Sequence, residues 1–148
     1  MGASPGQDAV ECARGFIGLV LAPGAATIDD IARVKSLSDK LVLLGRTLPA
    51  IKETGRQDDE VGLVEPSVDA IRHRFAILEP FASENVRPWD DLHHTVIDLQ
   101  HVVFLASEAG EDKAVHAFKY GFLTHWGMHL ASLRIPLLQV LRTHVHDR

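Results

Sequence analysis

The stretch Phe122-Leu123-Thr124-His125-Trp126-Gly127-Met128-His129-Leu130 places two histidines among aromatic residues at helical spacing. Successive residues of a helix are rotated by about 100°. On that wheel Phe118, Phe122, His125, Trp126, His129 and Leu133 fall within roughly a third of the circle, whereas Lys119 and Thr124 fall outside it. An amphipathic helix buries its apolar face, so His125 and His129 are expected to point inward. Buried polar groups need hydrogen-bond partners, and these must come from another helix. Gly121 and Gly127 lie in the same helix, where each costs roughly 1 kcal/mol relative to alanine. The wheel assigns neither of them a packing role.

Outward from this stretch, every apolar pattern has helical period. A first helix is expected from about 7 to 21, with Ala9, Cys12, Ala13, Phe16, Ile17 and Val20 inward, closed by Pro23-Gly24. A second opens at Thr27, whose hydroxyl can cap it, with Asp29 and Asp30 complementing the helix dipole. Its stripe is Ile28, Ile31, Val34, Leu37, Leu41 and Leu44. Residues 49–64 are polar and aperiodic and read as a mobile loop. A third helix starts near Pro66-Ser67 and is ended or kinked by Pro80. A fourth runs from about 89 to 109 on Leu92, Val96, Leu99 and Val103. A fifth runs from about 112 to 133, with a kink or break expected at Pro136, helical structure resuming through Leu137, Leu138 and Leu141, and a fraying tail from Thr143. No strand pair or internal repeat is visible. The expected architecture is all-α, an antiparallel bundle of five to six helices spanning 7–145 behind a flexible leader, 1–6.

Composition narrows the function classes. A chain of 148 residues is one domain by default. The formal net charge of −5 disfavours a nucleic-acid surface, and the short basic cluster Arg72-His73-Arg74 reads as a solvated helix face. The apolar run from Phe16 to Ala22 is too short to span a bilayer. The single cysteine, Cys12, excludes an intramolecular disulfide and a thiolate-rich zinc site, and fits a reducing, cytoplasmic compartment. Of the nine histidines, His73, His116, His144 and His146 share no face and read as surface residues.

The fourth helix carries a second polar stripe. Asp91, His94, Asp98 and His101 are spaced three, four and three residues apart and cover roughly 80° of one flank. A short link near 110 makes the fourth and fifth helices antiparallel neighbours. His125 and His129 lie roughly 22 to 28 Å past that link at 1.5 Å per residue. His125 should then be level with His94, and His129 with Asp91.

The segment from 88 to 133 resembles an uncharacterised bacterial helical family, one of the domains of unknown function. Trp89-Asp90-Asp91-Leu92 and Asp98-Leu99 match its first motif, and Phe122, His125, Trp126, Gly127 and His129 match its Phe-x-x-His-Trp-Gly-x-His signature. The chain departs at His94, where that family usually carries aspartate, at His116 and Phe118 where it has tryptophans, and at Leu123 where it often has an acid. The resemblance implies a fold and a set of residues, not an activity.

Two functions compete on these residues. The one preferred on sequence is a non-enzymatic helical interaction module, whose cluster of Asp91, His94, Asp98, His101, His125, Trp126 and His129 is a buried polar network without a cofactor. Dimerisation through Trp89, Phe104 or the C-terminal leucines belongs to this reading. The alternative is a metal-binding bundle with hydrolytic activity, because histidines four apart present two nitrogens to one divalent ion. His125, His129, Asp98 and Asp91 are then the ligand candidates. Neither His-Glu-x-x-His nor Glu-x-x-His occurs, and no residue is assigned a catalytic role.

Overall fold

The computed structural model of the chain describes residues 4–50 and 63–146. Within them the chain is an antiparallel helical bundle without a strand: α1 (Pro5–Val20), α2 (Ile28–Thr47), α3 (Val68–Arg74), a 3₁₀ segment (Ala76–Phe81), α4 (Pro88–Glu108), α5 (Glu111–Gly121), a π-turn (Phe122–Trp126) and α6 (Gly127–His146). The expected mobility of the loop falls on residues 51–62, outside the described residues. None of the described helices is long and apolar enough to cross a membrane.

Local chemistry fixes the starts. Ser4 caps α1 in a reciprocal box with Gln7, and Pro5 occupies the first turn. The helix therefore begins inside the segment that composition reads as a leader. Thr27 caps α2 in a second box with Asp30. The backbone N–H of Thr27, donated to the carboxylate, is the main reason the Asp30 pKa lies below its ordinary value. Ser67 caps α3. After Phe75 the chain tightens to 3₁₀ geometry, with Pro80 inside that segment rather than in an α-helix. Gly110, at φ 99°, makes the turn between α4 and α5 in a region other residues rarely adopt.

The helices enclose one core. α1 packs on α2, α4 and α5, α6 lies against α2 and α4, and α3 braces α4. Phe16, Ile31, Leu41, Ile71, Phe75, Leu78, Leu92, Leu99, Phe118, Trp126, Leu130 and Leu133 are fully buried. Each such side chain contributes about 1.5–3 kcal/mol relative to exposure. Cys12 is among the buried residues, and burial pushes its thiol up to about 11.

Three expectations are corrected by the packing. The basic cluster is a solvated face only in part: Arg72 and His73 are exposed, whereas Arg74 is buried, donates from Nε and Nη2 to the Leu19 carbonyl and from Nη1 to that of Gly24, and lies 3.6 Å from Asp30. Arg72 stacks over the Trp89 ring at 4.5 Å. Pro136 does not break the last helix, which runs on to His146. The ring of Pro136 is buried, and the carbonyl deprived of its usual donor belongs to Ser132, on the solvent side. Trp89 is not free for a dimer interface: it is 9% exposed, and its indole N–H donates to the Phe75 carbonyl.

Candidate metal centre

The interruption of the last helix comes at the π-turn, ten residues ahead of Pro136 at its nearest, and it contains no proline. Phe118 and Trp126, both fully buried, are eight residues apart. In a continuous α-helix that spacing leaves them roughly 80° out of line. The wider turn brings the two rings onto one face, edge to face at 4.9 Å. Two glycines make room for it. A Cβ at Gly121 would sit 2.8 Å from the Trp126 indole, and one at Gly127 would collide with the Phe122 carbonyl oxygen and ring.

With Trp126 turned into the core, His125 and His129 are left on the flank facing α4. His125 is the less covered of the two: its side chain is 41% exposed, against 21% for His129. Both find carboxylates on α4. His125 Nδ1–H donates to Asp98 Oδ2 at 2.5 Å, and His129 Nδ1–H donates to Asp91 Oδ1 at 2.8 Å. The axial match of His129 with Asp91 follows from the antiparallel register. His125 meets Asp98, a turn beyond the position level with it.

His94 completes the group. Its ring stacks on His129 at 4.6 Å and 10°, and meets His125 edge-on at 5.2 Å. The three imidazoles offer one nitrogen each, all within 4.8 Å of one another. Among the described residues His94 has no hydrogen-bond partner. Its pKa lies below the ordinary value, first through burial and then through the repulsion of His129, His125 and His93. It is therefore a neutral imidazole with a lone pair to offer. Burial raises the Asp91 carboxyl, and the hydrogen bond from His129 opposes that shift.

The sequence-derived cluster thus sorts into three kinds. His94, His125 and His129 converge; Asp91 and Asp98 stand behind two of them and do not face the centre as ligands; Trp126 is a core residue. His101 makes no hydrogen bond or ion pair among the described residues. One residue escaped the sequence reading. His93, next to His94, is buried with Nε2 2.9 Å from the Pro66 carbonyl and 3.4 Å from Glu65. It fastens the segment before α3 to α4, and its place on the wheel, off the polar stripe, gave no signal of this.

The donor set suits one ion. The Nδ1 atoms of His125 and His129 are held by carboxylates, which leaves each Nε2 with its lone pair outward. A carboxylate behind a histidine fixes its tautomer and strengthens it as a ligand. Tetrahedral coordination at about 2.0–2.1 Å sets ligand nitrogens roughly 3.3 Å apart. The three imidazole nitrogens lie within 4.8 Å of one another, so the rings must close in to meet one ion. No protein-family model, curated protein or solved structure matches the chain.

Proposed function

We propose that this protein is a metal-binding helical bundle, with His94, His125 and His129 as the ligands of one divalent transition-metal ion and with hydrolytic capacity. The observation that carries the reading is the convergence of three imidazoles of which two are braced through Nδ1 and the third has no hydrogen-bond partner among the described residues. A purely structural network would have no use for His94: the Asp98–His125 and Asp91–His129 pairs are complete without it. Zinc is the first choice, since neutral imidazoles suit it and three protein ligands leave a fourth position free. An ion so held supplies Lewis acidity and activates water, the chemistry of metal-dependent hydrolases. Asp98 and Asp91 orient the rings and offset the ion's charge. The buried free thiol of Cys12 fits a reducing, cytoplasmic setting.

A second reading, an interaction module that includes self-association, is favoured by Tyr120, Leu123, Met128 and Ile135, which are 57–67% exposed along α5, the π-turn and α6. It is compatible with the first.

The test is thermal unfolding of metal-free protein against added zinc. A ligand that binds only the folded state stabilises it by about 2.7 kcal/mol at a hundredfold excess over Kd. The melting temperature should rise with zinc in the wild type and in His101→Ala, and stay flat in His94→Ala and His129→Ala. A wild-type melting temperature indifferent to zinc, cobalt, nickel, iron and manganese would rule the reading out.

A further inference from the structure

We infer that Gly127 is a positioning residue for this centre: its bare Cα admits the π-turn that aims His125 at Asp98 and His94. The inference rests on the metal reading only for its consequence; the aiming itself is a property of the metal-free chain. Two demands meet at residues 118–129. Phe118 and Trp126 must both enter the core, and His125 and His129 must both face α4. A continuous α-helix leaves Phe118 and Trp126 roughly 80° apart, so it cannot serve both ends of the segment. One wide turn absorbs the mismatch, and π-turns of this kind recur at functional sites. The turn tolerates no side chain at Gly127, because the atom in the way is the backbone oxygen of Phe122. A flexible side chain could yield; that oxygen moves only if the turn itself changes. Gly121 serves the same turn by letting the Trp126 indole lie across it. Gly127→Ala therefore drives the segment toward a regular helix, in which His125 changes its direction while His129, within α6, keeps Asp91.

The experiment uses the full chain and two variants, Gly127→Ala and deletion of Leu123, an exposed residue whose removal takes the extra residue out of the π-turn. Gly6→Ala is the control: its Cβ would press on Val115 and Glu111, away from the histidines. Ring ¹⁵N shifts of the metal-free proteins report the Nδ1–H tautomers of His125 and His129, and cobalt(II) titration, followed by visible absorption, gives metal affinity. In both variants His125 should lose the Nδ1–H signature while His129 keeps it, and cobalt(II) affinity should fall at least tenfold. Gly6→Ala should melt lower with both signatures and the affinity intact. A folded Gly127→Ala or deletion variant with an unchanged His125 signature overturns the inference, as does failure of both variants to fold, which would make the turn a requirement of the fold rather than of the aim. A wild type that binds no cobalt(II) refutes the metal reading alone, since the tautomer signatures still decide the role of Gly127.

Discussion

His94 differs from its two neighbours in having no acid behind it, and that difference has a measurable consequence. With its pKa held below the ordinary 6.5 by burial and by the neighbouring imidazoles, the folded chain binds this proton less readily than the unfolded chain does. The stability linked to His94 is therefore intact above pH 6.5 and is lost as pH falls through the folded value. Asp91 acts with the opposite sign and in a lower range: its raised carboxyl makes the folded state less favourable as pH climbs from 3.8 through the folded value. An NMR titration of metal-free protein should give His94 a midpoint below 6.5. A midpoint at or above 6.5 would mean that His94 sits in water or beside an acid, and not among imidazoles. At this scale the sequence was legible where periodicity alone decides. The Asp91–His129 pair followed from counting residues away from the turn at Gly110. The partner of His125 did not, because counting assumes a uniform helix and His125 lies in the one turn that is wider.

Helices were legible through their caps. Thr27 acts where its hydroxyl before an apolar stripe places it, Gly110 sits where the α4–α5 link requires it, and the start of α3 was placed by Pro66 although Ser67 makes the cap. The errors share a cause: each concerns a residue whose surroundings periodicity does not report. Pro136 reads as a breaker, but the carbonyl it deprives faces solvent. Gly121 and Gly127 read as unexplained costs until the indole and the Phe122 carbonyl are placed against them. Arg74 reads as a surface cation, yet it ties α3 to the end of α1, the following turn and α2 through the carbonyls of Leu19 and Gly24 and the carboxylate of Asp30. Replacing it by a residue of similar volume that cannot donate leaves those acceptors unpaired. Arg74→Met should cost about 2–4 kcal/mol, measured as a lowered urea midpoint at unchanged slope. A change within about 0.5 kcal/mol, the range of ordinary surface substitutions, would show that water replaces the guanidinium and that the three elements hold without it.

Across the whole molecule, one apolar core places a polar group at the seam of two helices. The core faces of α4 and α6, Leu92 and Leu99 on one and Leu130 and Leu133 on the other, are fully buried and fix the rotation of both helices. With rotation and register fixed, Asp91, His94 and Asp98 have no choice but to face His125 and His129. The all-α architecture was legible because every apolar stripe has the same period. The centre was only half legible, since a stripe of acids and imidazoles reads equally as a network or as a ligand set until the third imidazole is seen against the other two. The direct test of the metal centre is elemental analysis of untagged protein purified without nickel or chelator. Wild-type protein and His101→Ala should each carry close to one transition-metal ion per chain, and His94→Ala, His125→Ala and His129→Ala should carry almost none. A wild-type chain that holds less than about a tenth of an equivalent, and takes up none from excess zinc, cobalt, nickel, iron or manganese at pH 7.5, would contradict it.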